Sequence, residues 1–339
     1  MSGHKNEMRT RSFPVCYLCG TNGIDLYTGL TDRLFGSPGE WNLKRCPSAD
    51  CELIWLDPMP LEEDISLAYR CYYTHQSAGK DECDKHNKSI TTQIYQKLYR
   101  ILAKATGLIK EQQDIRTRYL GDLLPGKLLE IGCGAGENLV LMRTLGWAVE
   151  GVEIDPIACI HARNVNGLTV QEGTLESRIY PDDSFDAITM NHVIEHVFDP
   201  VGTLKECFRI LKPGGRVVVI TPNAASWGHH EFQENWRGLE PPRHIHIFSP
   251  KSMNKTAEVA GFKLIEVRTT PANADVIIKA SLYLKNLSGS NISNANENNL
   301  GYIQKIIWKS RLLQYHFREY YLWKINPNLG EEVVMICQK

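Results

Sequence analysis

LLEIGCGAGENL (Leu128–Leu139) sets an apolar strand directly before Gly132, Gly134 and Gly136, with a helix expected just after them. Glycine permits a tight turn and lets the backbone approach a ligand closely at the carboxyl edge of a sheet. A dinucleotide-binding turn wants glycine or alanine at position 137, where this chain has glutamate. A carboxylate beside a helix amino terminus repels a pyrophosphate, so nicotinamide and flavin dinucleotides lose ground. The next apolar run ends in VEGVEID and places Glu153 about twenty residues beyond the first glycine, where an acid can accept hydrogen bonds from both hydroxyls of a free ribose.

Outward from this turn the texture repeats. Short apolar runs, LLEIG, AVEGVEID, GLTVQEG, FDAITMNHV, GRVVVITP, FKLIEV and EEVVMICQ, alternate with helical spacings, the pattern of a parallel, doubly wound α/β sheet. Upstream, a helix is expected from Ser89 to Leu123, ending at the turn signal PGK. Between FKLIEV and EEVVMICQ, residues 272–328 read as a helical insert outside the alternation. It includes a polar, low-complexity loop at 286–299, expected to be mobile. A helix follows that mixes Tyr302, Ile306, Trp308, Leu312, Tyr315, Phe317, Tyr320 and Trp323 with Lys305, Lys309, Arg311 and Arg318. Such a helix reads as a lid, as a membrane-surface helix, or as an ordinary amphipathic helix packed on the sheet.

The 339 residues are 42% apolar and 23% charged, with 38 basic against 39 acidic side chains and a net charge of -1. That balance gives no strong nucleic-acid signal, because non-specific phosphate binding needs a basic excess. No stretch is apolar enough for a membrane span and MSGHKNEMRTRSF is too polar for a signal peptide, so a cytoplasmic location is expected. Oligomeric state leaves no trace in the sequence.

Ten cysteines are present, too many for a disulfide framework in a compartment that keeps thiols reduced. Four form two pairs, Cys16 and Cys19 in CYLCG and Cys46 and Cys51 in CPSADC. Thiolates paired at two turns can close a tetrahedral shell around a structural zinc; the alternative is four small buried apolar side chains. Cys71, Cys83, Cys133, Cys159, Cys207 and Cys337 are scattered and read as core or incidental. The chain therefore divides into a zinc-binding head (1–60), a helical and substrate-side segment (61–125) and a cofactor-binding domain (126–339).

With the glycine turn, the acid and the strand order in agreement, the sequence resembles the class I methyltransferases that use S-adenosylmethionine. The resemblance runs from about residue 125 to the end and takes in PDDSFDAITMNHVIEH at 181–196, LKPGG at 211–215 and the segment PPRHIHIFSP. The cysteine pairs followed by WLDPMP resemble a bacterial subgroup with a zinc-binding head, often associated with surface-glycan or secondary-metabolite pathways. The family implies a seven-stranded, mostly parallel Rossmann-like sheet whose last strand runs antiparallel. It also implies that Glu130 lies near the methionine part of the cofactor, that Glu153 holds the ribose, and that Thr174 and Leu175 lie beside adenine. Gly132, Gly134, Gly136 and Asn191 complete the expected cofactor contacts.

Methyl transfer from a sulfonium is an in-line displacement, so alignment in a dry cleft is the main requirement. A hydroxyl acceptor also has to lose a proton, and histidine titrates near working pH. The fourth strand ends in NHVIEH, which brings His192, Glu195 and His196 to the edge where a substrate enters. His196 is the candidate base. In a helical turn the three share a face, and with His244 or His246 they could instead hold a divalent metal. The quinone-type O-methyltransferases and the small-RNA 2'-O-methyltransferases place metal ligands in an E-x-x-E-H pattern, although here the first position is histidine. A third reading has these side chains only holding the loop. Arg243, His244 and His246 are candidates for a substrate wall, and Tyr72 and Tyr73 for an aromatic face. The function expected is methyl transfer to a hydroxyl of a small-molecule or glycan acceptor. An RNA base methyltransferase and a non-catalytic cofactor-binding scaffold are the alternatives.

Overall fold

The computed structural model describes residues 8–70, 90–288 and 302–339. Tyr72, Tyr73, Cys71, Cys83 and positions 289–299 of the polar segment lie outside the described residues. The N-terminal part contains β1 (Thr10–Arg11), β2 (Ile24–Leu30), β3 (Trp41–Arg45), β4 (Ile54–Leu56) and β5 (Met59–Pro60), then a 3-10 segment over Glu62–Tyr69. Two helices, α1 (Ile90–Thr106) and α2 (Leu108–Arg116), lead into the alternating part. This runs β6 (Lys127–Ile131), α3 (Glu137–Thr144), β7 (Ala148–Glu153), α4 (Pro156–Asn164), β8 (Val170–Glu172), β9 (Phe185–Asn191), α5 (Pro200–Ile210) and β10 (Leu211–Pro222). Then come α6 (Trp227–Phe232), β11 (His246–Ile247), α7 (Pro250–Ala260), β12 (Leu264–Thr270), α8 (Ala274–Ser288), α9 (Tyr302–Ile325) and β13 (Glu332–Gln338).

The main sheet is seven-stranded in the order β12-β13-β10-β9-β6-β7-β8. β13 runs antiparallel to β10 and β12, while the pairs β10–β9, β9–β6, β6–β7 and β7–β8 are parallel. The doubly wound, mostly parallel sheet with an antiparallel last strand is therefore as expected. Parallel strands joined by helical crossovers are covered on both faces, which is why their sequences read as near-continuous apolar runs. Alternate residues part accordingly: Leu129, Ile188, Met190, Val217 and Val219 enter one buried cluster, and Leu128, Ala187, Val218 and Ile220 enter another. The crossover helices start where capping chemistry dictates. Asp155 accepts from Ile157 N–H ahead of Pro156, Asp199 from Gly202 N–H ahead of Pro200, and Ser249 and Ser252 form a reciprocal capping box around Pro250.

The single helix expected from Ser89 to Leu123 is, from residue 90, two. Gly107 adopts φ +79° between α1 and α2, and α2 stops before Arg118 and Tyr119, which both take positive φ. An interior glycine costs a helix only about 1 kcal/mol, so the apolar spacing continues through a break it cannot register. α9 packs against α1, α6 and α8, buries Leu312 with Trp227, Phe232 and Trp236, and donates from its Trp323 indole to the Thr269 carbonyl of β12. No helix among the described residues is long and apolar enough to cross a membrane.

β2, β3, β4 and β11 make a four-stranded sheet. Its edge strand β11 comes from the PPRHIHIFSP segment, with His246 opposite Trp55. Cys16, Cys46, Cys51, Leu53 and Trp55 belong to the same buried cluster as Leu129 and Ile188 of the main sheet. Cys133, Cys159, Cys207 and Cys337 are buried free thiols.

Candidate active site and thiolate centre

β6 and its neighbours end at one edge, and the glycine turn lies just beyond. Gly132, Gly134 and Gly136 have φ of +68°, +55° and +86°, values that side chains disfavour. A Cβ on Gly132 would run into Val193, which follows β9, so the turn and the post-β9 loop are packed together. Gly132→Ala is accordingly expected to cost about 1 to 3 kcal/mol through positive φ and overpacking, read as a lower thermal midpoint. It should weaken cofactor binding in the same protein.

Glu153 ends β7 with 7% exposure. One carboxylate oxygen accepts from Gly134 N–H at 2.8 Å and the other from Asp155 N–H at 2.9 Å. Two backbone donors thus fix the plane of the carboxylate while each oxygen keeps acceptor capacity. Glu130, in β6, is 2% exposed. Burial pushes its carboxyl up to about 7 against the pull of Arg118, whose guanidinium lies 3.4 Å from Oε1. Glu130 Oε2 and Asn191 Oδ1 are buried without hydrogen-bond partners. Thr174 is exposed, whereas the Leu175 side chain is in the core, which leaves only its main chain to face a ligand.

Across the turn stands the post-β9 loop, whose last residues, Ile194–His196, form a short 3-10 turn. His192 adopts φ +55° and its ring spans two buried acids, Nδ1 at 3.2 Å from Glu195 and Nε2 at 2.7 Å from Glu332. Burial alone would lower its pKa, but the bonds to Glu195 and Glu332 prevail and hold it at about 10. At neutral pH His192 is a cation and no base. Burial would likewise raise Glu195, yet His192 brings it down to about 2, and the Thr221 hydroxyl donates to it at 2.9 Å.

His196 differs. Its Nδ1 lies 2.9 Å from the Arg243 carbonyl and 3.0 Å from the Tyr69 hydroxyl. A carbonyl only accepts, so Nδ1 carries the proton and Nε2 is the basic nitrogen. Burial lowers the pKa of His196, leaving it neutral near pH 7.

Glu195, His196 and His244 bring one ligand atom each within 4.8 Å of one another. That corrects the expected metal set, in which His192 stood first: its ring is committed to two carboxylates, and His244 takes the place. His246 stands apart, with Nδ1 at 3.1 Å from the Val197 carbonyl and its ring against Tyr17. Arg243 is no source of charge to a substrate wall, since its side chain is fully buried and bonded to Asp32 at 2.8 Å and Glu240 at 2.7 Å. It is the Arg243 carbonyl that serves the site. Arg118, Tyr69 and Glu332 were absent from the sequence-derived candidates. None lies in a spaced motif, and each reaches the site only through the fold.

The four expected cysteines converge. Sγ atoms of Cys16 and Cys51 lie 3.6 Å apart and those of Cys19 and Cys46 3.4 Å apart, all four within 4.8 Å of one another. A tetrahedral zinc with about 2.3 Å bonds sets its sulfurs about 3.8 Å apart, so the donors fit that ion.

Residues 105–267 match the family described as "Methyltransferase domain". Over that segment, just under half of the 339 residues, the chain resembles the methyltransferases. Over 138 residues it is 30% identical to a Mycolicibacterium smegmatis protein named "Probable S-adenosylmethionine-dependent methyltransferase", covering 40% of this chain and 52% of that one. Over 103 residues it is 37% identical to the Cereibacter sphaeroides "Ubiquinone biosynthesis O-methyltransferase", covering 29% and 41%. The chain thus spans about half the length of the curated relatives it matches. A solved Thermotoga maritima structure described as a "SAM-dependent methyltransferase, possible histamine N-methyltransferase" is 22% identical, with TM-score 0.44 over 74% of this chain and 98% of that one.

Proposed function

We propose that this protein transfers a methyl group from S-adenosylmethionine to a hydroxyl of a small-molecule or glycan acceptor. The observation that carries the reading is Glu153, oriented by two backbone N–H groups beside a glycine turn whose positive φ disfavours side chains and where Gly132 and Gly136 leave no room for a Cβ. Glu153 would hold the ribose hydroxyls, Gly132 to Gly136 would admit the ligand's close approach, and Glu130 with Arg118 would face its amino-acid end. When bound, S-adenosylmethionine supplies an electrophilic methyl carbon on a sulfonium.

The chain's own task is then to align the acceptor and remove its proton. His196 Nε2 takes that proton, and buried, ionised Glu195 stabilises the imidazolium that results. Tyr69 and the Arg243 carbonyl hold the ring in place. The Cereibacter relative's name favours a hydroxyl over an amine as acceptor. A second reading rests on the convergence of Glu195, His196 and His244: these three would hold a divalent metal that acidifies the acceptor hydroxyl. The four thiolates would hold one structural zinc, a closed shell with no position for substrate. Reduced thiols of this kind suit a cytoplasmic protein.

Two measurements test the reading. Calorimetry should show S-adenosylmethionine binding that falls at least about tenfold in Glu153→Ala, since hydrogen bonds to a charged group contribute about 1.5 to 3 kcal/mol each. Unchanged affinity in that variant would remove Glu153 from the site. Incubating a cell extract with the protein and isotope-labelled S-adenosylmethionine, followed by mass spectrometry, should reveal a compound that gains the label on oxygen.

A further inference from the structure

A neutral imidazole offers a lone pair at Nε2 only while Nδ1 keeps the ring proton. For His196 that choice falls to the Arg243 carbonyl, 2.9 Å from Nδ1. The Tyr69 hydroxyl, 3.0 Å from the same nitrogen, can donate or accept and so does not decide it. The basicity of Nε2 therefore depends on where one carbonyl points. β11 begins at His246, so this carbonyl lies in a turn outside the ladder. The local backbone bonds of the turn lead back to Glu240, whose carbonyl takes the Arg243 and His244 N–H groups at 3.0 and 3.2 Å.

The Arg243 side chain supplies a longer tether. It is fully buried and gives Nε to Glu240 at 2.7 Å. One terminal nitrogen meets Asp32 at 2.8 Å, the Ser37 hydroxyl at 2.8 Å and the Ala68 carbonyl at 2.9 Å, and the guanidinium carbon lies 4.6 Å from the centre of the Phe35 ring. Glu240 belongs to the same loop, whereas the other partners come from the N-terminal part, Asp32 from 211 positions away.

Asp32 is itself held. Its Oδ1 accepts from Leu34 and Phe35 N–H at 3.1 and 3.0 Å, and its Oδ2 from Ser37 N–H at 3.0 Å. Burial would raise its carboxyl, but Arg243 and these donors bring it down to about 2, so the pair is ionic at neutral pH. A guanidinium bonded in several fixed directions has little freedom to turn, and its backbone is thereby referenced to the 32–37 turn.

We infer that Asp32 is a positioning residue for His196: through the buried Arg243 side chain it fixes the carbonyl that selects the Nδ1–H tautomer and leaves Nε2 basic. The N-terminal part thus contributes to the reaction without touching substrate. The inference rests on the reading of His196 as the reacting imidazole. It serves both versions of that reading, since a metal on Nε2 requires the same tautomer.

Nitrogen-15 NMR of the full chain, labelled at histidine, reads the tautomer directly, and the resonance missing from His196→Ala assigns it. The unaltered chain should show His196 as the Nδ1–H form. Asp32→Asn sets an amide nitrogen against N–H donors whichever way it turns. In that variant the ratio of Nδ1–H to Nε2–H should fall several-fold, the weight of about one hydrogen bond. Turnover should fall by a similar factor while KM and S-adenosylmethionine affinity hold. Ser37→Ala keeps the ion pair and removes one neutral acceptor from the same guanidinium nitrogen. It should shift the ratio the same way by less, and it decides the matter if Asp32→Asn fails to fold. Asp25→Asn, an exposed acid of the N-terminal part paired with Lys44, should leave the ratio unmoved. An Nε2–H His196 in the unaltered chain, or a ratio that neither Asp32→Asn nor Ser37→Ala moves, would overturn the assignment. Methyl transfer that survives His196→Ala would defeat the base reading, while the tautomer ratio still decides this one.

Discussion

Stripping the metal from the four-thiolate cluster, or replacing Cys16 by serine, is expected to lower the thermal midpoint by about 10 °C or more. Structural zinc contributes about 10 to 16 kcal/mol of apparent binding energy in small zinc domains, and a few kcal/mol shifts a chain of this size by roughly that interval. Cys16, Cys46 and Cys51 belong to the same buried cluster as the main sheet, so the damage is not confined to the first strands. Tyr17, next to Cys16, donates its hydroxyl to Asp199, the residue that caps α5, and sets its ring at a tilt against His246. Loss of the metal should therefore also loosen the loop that carries His196. Elemental analysis should find one zinc per chain. A chain that holds no zinc and melts unchanged in chelator would sink the idea.

Replacing His196 by alanine is expected to reduce turnover about 100- to 10,000-fold, the usual contribution of a positioned base, with S-adenosylmethionine affinity nearly intact. The pH profile gives the matching signature. Because burial depresses the His196 pKa below the ordinary 6.5, the neutral, active form persists as pH falls. Activity should decline only on passing below that ordinary value, when Nε2 takes up a proton. His192 does not fit the same role, since at a pKa of about 10 it stays protonated through the neutral range. If the metal reading holds instead, a chelator should abolish activity, and His244→Ala should hurt as much as His196→Ala. Near-normal turnover in His196→Ala without chelator sensitivity would leave alignment as the sole source of catalysis.

What could be read before folding was whatever depends on near neighbours. The runs around LLEIG and GRVVVITP announce strands because apolar residues continue through them without a helical gap, and burial on both faces of a parallel sheet demands that. Glu153 was legible for a related reason: a strand, a glycine turn, a helix and a second strand have narrow length ranges, so the spacing from Gly132 leads to the acid. The cysteine pairs were legible because two turns suffice to bring four thiolates together. The break at Gly107 escaped the reading, since a glycine interrupts a helix only when tertiary packing favours the left-handed conformation it permits.

The sequence by itself determined the sheet, the glycine turn with its acid, and the four-cysteine set, all of them products of short-range order. Only the tertiary structure decided what the charged residues do. Arg243 looked like a positive wall until Asp32, 211 positions away, met its guanidinium. His192 looked like a ligand until Glu332, 140 positions on, fixed its ring and its charge. The field at a buried group falls off over a few ångströms and is set by whichever side chains the fold places there. Strand and turn preferences are written in neighbouring residues, whereas protonation and pairing depend on partners that only the closed fold brings within reach.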